Sequence, residues 1–157
     1  MTYTLDDYFR SQQVSLQWSP VLRALAVELR SQAEVDLGLL NQLFNKIGMR
    51  FAKDMESQFQ GVQTLSELTD ALNDLWSRTN WGWVELKEAN GCIEIEHRYA
   101  PIAEAFGSET LEWSVGLLEG FYQAVFLSFG LSEKMKTKLV AHQNDGLLIH
   151  LRVAPPR

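Results

Sequence analysis

The chain has 157 residues, of which 46% are apolar and 22% charged, with 8 Phe, 5 Trp and 4 Tyr. That supplies one substantial hydrophobic core, leaves two independent cores marginal, and argues against disorder. The net charge of -6, with only 14 scattered Lys and Arg, argues against nucleic acid as a partner, because a phosphate-tracking surface needs clustered cations. Cys92 stands alone, which excludes an intrachain disulfide and any cysteine zinc site.

Residues 1–18 are polar with interspersed aromatics, Tyr3, Tyr8, Phe9 and Trp18. They are expected to form an arm, or a short helix around Asp6 to Ser11, packed on this domain or on a neighbouring subunit. The segment lacks the cationic and apolar regions of a secretory signal. No stretch of the chain approaches the length of apolar sequence that spans a bilayer. A reducing, cytoplasmic setting is the expectation.

Ser19-Pro20 reads as a helix start, with Ser as N-cap and Pro in the first turn. Val21, Leu22, Leu25, Ala26 and Leu29 then recur at helical spacing. A longer helix is expected from about Val35 to Phe59, its core stripe formed by Leu40, Leu43, Phe44, Ile47, Phe51 and Met55. Thr64-Leu65-Ser66-Glu67 reads as a capping box that opens a third helix carrying Leu68, Leu72, Leu75 and Trp76.

At Asn80 the period changes from helical to alternating, with Trp81, Trp83, Glu85 and Lys87 opposed to Gly82, Val84 and Leu86. Asn90-Gly91 supplies a type I′ turn, and Cys92 to Tyr99 alternates again as the return strand. Pro101 to Gly107 is expected to be a loop, and Ser108 to Phe129 a fourth helix with Gly130 closing it. A second hairpin follows, with strands near Thr137 to His142 and Leu147 to Val153 around Asn144-Asp145-Gly146. The layout predicts a single α+β domain over residues 1–157, with four to five helices packed on a small antiparallel sheet made of two hairpins.

Catalytic machinery is not recognisable. The histidines His97, His142 and His150 show no metal-ligand spacing, and no nucleophile elbow, P-loop or dinucleotide fingerprint occurs. Glu94 and Glu96 share a strand face, and a charged, exposed face is the simpler reading than a glycosidase pair. No cofactor and no metal is expected. The unusual feature is aromatic concentration: Trp76, Trp81 and Trp83 lie close together, followed by Tyr99 and Trp113. Such rings serve as core, as interface anchors or as platforms for sugar rings.

Asn80-Trp81-Gly82-Trp83-Val84 resembles an Asn-Trp-Gly-aromatic-Val segment of the D-subunit family of bacterial cellulose synthase. Leu118-Glu119-Gly120-Phe121-Tyr122 resembles that family's Leu-Glu-Gly-apolar-Tyr. Ile47 to Ala52 and the strand ending Leu151-Arg152-Val153 extend the likeness over about residues 20–153.

The resemblance implies a non-catalytic accessory subunit that forms dimers and then a hollow octamer, and that aids ordered export and crystalline assembly of cellulose. It implies as partners other copies of itself, the other synthase subunits, adaptor proteins and nascent cellulose strands, beside the membrane-embedded synthase. The family is placed in the periplasm as well as at the inner face of the membrane, and the missing signal sequence favours the inner face. In the family the N-terminal segment lines the glucan passages, which makes Tyr3, Tyr8 and Phe9 the candidate glucan contacts. Trp81, Trp83, Phe121 and Tyr122 are candidate interface or core anchors. A competing expectation is a small-ligand sensor domain of the 4-vinyl-reductase or haem–nitric-oxide-binding kind, with Trp and His side chains around a pocket.

Overall fold

A computed structural model of the chain describes residues 2–32 and 36–156. Its helices are α1 (Leu5–Gln13), α2 (Ser19–Ser31), α3 (Leu37–Asp54), α4 (Leu65–Thr79), α5 (Ile102–Phe106), α6 (Leu111–Ser114) and α7 (Gly116–Ser128). The strands β1 (Trp83–Ala89), β2 (Cys92–Arg98), β3 (Lys136–Gln143) and β4 (Leu148–Ala154) form one antiparallel sheet in the order β1-β2-β4-β3. The α+β class and the two hairpins agree with the sequence reading. The second hairpin adds its last strand to β2, so β4 is central and β3 and β1 are the edges.

Several boundaries differ from expectation. Ser19 is the first residue of α2 rather than its cap, and Trp18 holds the cap position without a side-chain bond. The expected start of the long helix, Val35, lies outside the described residues; Asp36 caps α3 through Gly38 and Leu39. That helix stops at Asp54, and a short 3-10 turn covers Glu56–Phe59. Residues 101–107 are not a loop, since they contain α5. The expected fourth helix is broken into a 3-10 turn, α6 and α7.

The turn signals work as the residue chemistry dictates. Asn90 and Gly91 both have positive φ, 55° and 75°, and Ala89 pairs with Cys92 across them. At the end of α7 the Gly130 N–H donates to Leu127 and the Leu131 N–H to Phe126, the two bonds of a Schellman motif.

On the inner sheet face Ile95, His97, Ile149, Leu151 and Val153 are fully buried. They meet α4 and α7, whose Leu72, Trp76, Leu118, Phe121 and Tyr122 complete the core. The outer face carries the alternate residues, including Glu94, Glu96, Arg98, His150 and Arg152. Glu94 is not simply exposed as expected. Its carboxylate accepts from His150 Nε2 and Arg152 Nε, each at 2.6 Å. Burial raises the Glu94 pKa, but those bonds and charges outweigh it and hold it below the ordinary value.

Helices α3 and α7 cross backbone against backbone. A methyl group at Gly48 would lie 1.9 Å from the Leu117 carbonyl oxygen, and one at Gly120 would lie 1.9 Å from that of Asn45. Gly116 faces Asn41 in the same way, at 2.6 Å from its carbonyl oxygen. No side chain fits between these backbones, so this crossing demands glycine for space rather than for conformation. The approach lets Glu119, buried in α7, join both neighbours: its carboxyl accepts from Asn41 Nδ2 at 3.0 Å and from the Leu139 N–H of β3 at 2.9 Å.

Side chains also close parts of the sheet edges. On β1 the Asn73 amide accepts from the Val84 N–H at 2.7 Å and donates to the Val84 carbonyl at 3.0 Å, standing in for a neighbouring strand. On β3 the Gln123 amide accepts from the Thr137 N–H at 2.8 Å and donates to the Met135 carbonyl at 2.9 Å. Together with Lys136 and Lys138 and the irregular register between Leu139 and Ala141, these bonds blunt both edges against strand addition.

Not every apolar stripe is core. Leu40, Phe44 and Ala52 of α3 are buried, whereas Leu43 and Ile47 are 41% and 42% exposed, and Leu39 is exposed beside them. In α2 only Ala26 is fully buried, and Val21 and Leu25 face outward. Phe129, expected on the buried face of the last long helix, is half exposed at its end. The stripes are wider than one domain needs.

Gly120→Ala is expected to destabilise the protein by about 3 kcal/mol, the upper range for forcing a group into a filled interface, because backbone rather than a side-chain tip must move. Gly61→Ala, where nothing lies within 4 Å, should cost only about 1 kcal/mol for its positive φ. Urea unfolding checks both. A Gly120→Ala protein as stable as the wild type would contradict the close crossing.

Candidate functional site: an aromatic cleft beside the N-terminal helix

The N-terminal helix is well specified locally. Thr4 and Asp7 form a reciprocal capping box, with Thr4 Oγ1 accepting from the Asp7 N–H and Asp7 accepting from the Thr4 N–H. No residue of α1 is fully buried, and it is held on the domain by a few directed contacts. Phe9 packs against Tyr99 and Trp83, with ring centroids 4.5 and 6.1 Å apart. Asp6 accepts from the Tyr99 hydroxyl at 3.0 Å, Gln13 donates to the Tyr99 carbonyl at 2.5 Å, and Arg10 donates to the Asn144 carbonyl at 3.2 Å. Asn80 donates to the Gln12 carbonyl.

The facing wall is the entry to the first hairpin. Asn80 ends α4 in the left-handed region, at φ 60°. Gly82 then passes so near β2 that a methyl group on it would lie 1.8 Å from the Arg98 carbonyl oxygen, with φ at 77°. The two departures from helix and strand geometry turn neighbouring tryptophans to opposite sides. Trp81 turns inward and stacks on Trp76 at 5.4 Å, so it lies before the strand rather than in it. Trp83 turns outward and remains 38% exposed.

Between these walls lies a cleft of about 500 Å³, with Phe9, Gln13, Ser77, Asn80, Trp83 and Tyr99 among its lining. Tyr99 forms its floor in an unusual backbone state. Its φ is 60°, a region an aromatic residue enters at a cost of about 1 kcal/mol or more. Its N–H, carbonyl and hydroxyl are all bonded, to Leu147, Gln13 and Asp6. Burial, and then the Asp6 carboxylate, raise the Tyr99 pKa above the ordinary tyrosine value.

Behind the cleft the core holds a buried polar chain. His97 Nε2 lies 2.7 Å from the Trp81 carbonyl, and Nδ1 lies 2.6 Å from the Tyr122 hydroxyl. A carbonyl only accepts, so Nε2 carries the proton and Nδ1 accepts from Tyr122. Burial is the first cause that drives the His97 pKa down, to about 4, and the bond to Trp81 offsets it only in part. Burial likewise pushes Tyr122 well above the ordinary value. The Trp76 indole N–H is directed at the same hydroxyl without reaching hydrogen-bond geometry.

The residues singled out from sequence fall into distinct places. Tyr3 and Tyr8 are exposed, with the Tyr3 hydroxyl on Ser11 and the Tyr8 ring edge-on to Phe9 at 5.6 Å. Phe9 lines the cleft with Trp83. Trp81 is half-buried, and Phe121 and Tyr122 are fully buried in the core. Tyr99 is visible in the sequence only as an aromatic; its backbone state leaves no signal there. Asn73, Gln123 and Glu119 likewise look like ordinary polar residues of helices.

Among the described residues no three His, Cys, Asp or Glu come together as a metal site. The cleft presents, among the described residues, rings, amides and hydroxyls, with no nucleophile held by a base. Among the described residues no helix is long and apolar enough to cross a membrane.

Comparison with known proteins gives three findings. The family of cellulose synthase D subunits matches residues 4–152. The cellulose synthase operon protein D of Komagataeibacter xylinus is 29% identical over 107 residues, which cover 67% of this chain and 66% of that protein. Among solved structures, a trafficking protein particle complex subunit 3 from Naegleria fowleri, covalently bound to palmitic acid, superposes with a TM-score of 0.60. It covers 88% of this chain and 93% of that one at 11% identity, a likeness of fold alone.

Acid should destabilise the protein through His97. Between pH 6.5 and about 4 the unfolded His97 is protonated and the folded one is not, so stability falls as pH falls through that window. The loss from about pH 7 to about pH 5 is expected to be on the order of 2 kcal/mol. Glu94 and Asp7, whose pKa values lie below their ordinary 4.5 and 3.8, lose stability only at lower pH. Urea midpoints at the two pH values check this, and in His97→Gln the difference should largely vanish. An undiminished difference would assign the acid sensitivity elsewhere.

Proposed function

The chain belongs to the D-subunit family of cellulose synthase, and from that membership we propose that it is a non-catalytic, self-assembling accessory subunit of bacterial cellulose secretion. The single observation that carries the reading is the family match over residues 4–152. In this role the protein organises synthase complexes at the inner face of the membrane, and it promotes ordered export and crystalline packing of glucan chains. Its partners are other copies of itself, in dimers that build an octamer, the remaining synthase subunits with their adaptors, and nascent cellulose.

Two features of the surface support assembly. Leu39, Leu43 and Ile47 form an exposed apolar ridge along α3, and Val21 and Leu25 form another on α2. Sheet edges blunted by Asn73 and Gln123 make strand pairing the less favourable route between copies. The exposed rings of Tyr3 and Tyr8, with Phe9 behind them, suit contact with glucan strands that pass the N-terminal helix.

Deletion of the protein from a cellulose-producing host is expected to lower the yield and crystallinity of cellulose without abolishing polymer synthesis. Wild-type protein should restore both. Leu43→Glu combined with Ile47→Glu should fail to restore them while leaving the circular dichroism spectrum unchanged, because it charges an exposed ridge rather than the core. Cellulose of unaltered amount and crystallinity after deletion would sink the reading.

A further inference from the structure

The cleft between α1 and the first hairpin has the makings of a binding site in its own right. Phe9, Trp83 and Tyr99 hold their rings within 4.5 to 6.1 Å of one another, yet Trp83 stays more than a third exposed. A core would have covered it. The backbone around the cleft departs from regular geometry three times, at Asn80, Gly82 and Tyr99. The departure at Tyr99 is strained and is fixed by three separate hydrogen bonds. Strain held in place by several bonds at the floor of an open cleft is a mark of a site shaped for a ligand.

The chemistry of the lining selects the ligand class. A flat apolar ligand face suits the tryptophan and tyrosine rings, and hydrogen-bonding groups around its rim suit the amides. Gln13 and Asn80 each donate one amide N–H to a protein carbonyl, which orients the amide and leaves its second N–H and its oxygen for a ligand, and Ser77 adds a hydroxyl. Among the described residues no Lys or Arg lines the cleft, and Asp6 lies on the Tyr99 hydroxyl, so a phosphorylated or carboxylated ligand meets no counter-charge from them. A β-linked glucose chain meets each requirement, because its equatorial hydroxyls leave both ring faces apolar and put every donor at the rim.

We propose that this cleft is a glucan-binding subsite, with Trp83 as the stacking platform, Phe9 as a wall, Tyr99 as the floor, and Gln13, Ser77 and Asn80 as hydroxyl partners. The ligand class rests on the cellulose reading above, whereas the position of the site rests on geometry alone. The subsite moves the main contact from the exposed tyrosines of the arm to a residue of the sheet. It also gives α1 a task, since the helix supplies one wall and orients Gln13.

Titration of the full-length protein with cellopentaose, followed by tryptophan fluorescence and calorimetry, tests the proposal. Saturable binding is expected, weakened about tenfold or more in Trp83→Ala, a loss appropriate to one stacking contact. Trp83→Phe keeps a ring against Phe9 and Tyr99 and should recover part of the affinity, which separates stacking from folding. Trp18→Ala, a change at an exposed tryptophan outside the cleft, should bind as the wild type does. Undiminished binding in Trp83→Ala would overturn the site, and an equal response to maltopentaose would overturn the β-glucan assignment. Absence of binding by the wild type, in a protein whose deletion still impairs cellulose, would overturn the subsite and leave the accessory role standing.

Discussion

The contact on which the rest of the structure depends is the crossing of α3 and α7 at Gly48, Gly116 and Gly120. Because the backbones nearly touch, Glu119 reaches Asn41 on one side and the Leu139 N–H on the other, and so ties the outer helix to the sheet edge. Two residues beyond Gly120, Tyr122 is set beneath the sheet and donates to His97. His97 in turn donates to the Trp81 carbonyl, which fixes the segment that turns Trp81 inward and Trp83 outward. The aromatic cleft on the surface is thus positioned by a glycine contact on the far side of the core. Each residue of Leu118-Glu119-Gly120-Phe121-Tyr122 has a place in that chain of contacts or in the core around it.

A second constraint concerns what is left open. Residues of a sheet edge offer backbone groups to any passing strand, and here helix side chains occupy several of them. The outer sheet face is charged and laced by Glu94, His150 and Arg152. Large apolar side chains stay exposed on α2 and α3 and on the N-terminal segment before them. A chain so arranged has helix faces, rather than strand edges, open for the contact between copies proposed above.

Much of this is legible in the sequence where residue chemistry acts locally. Asn90-Gly91 fixes a turn by its positive φ, Gly130 closes a helix, and alternation places His97 on the inner face of β2. Alternation also puts Trp81 in the strand, wrongly, because it cannot show that Asn80 and Gly82 re-aim that residue first. Leu43 and Ile47 read as core because periodicity finds an apolar stripe and does not tell which part of it the domain covers. The cleft is legible only as a concentration of rings. Its floor depends on the Tyr99 backbone and its wall on α1, both set by contacts with residues distant in sequence.

The self-assembly proposed above is tested most directly by the native mass. Sedimentation of the wild-type protein across the micromolar range is predicted to show one assembly several times the 17.9 kDa of the chain. A single 17.9 kDa species over that range would contradict the account.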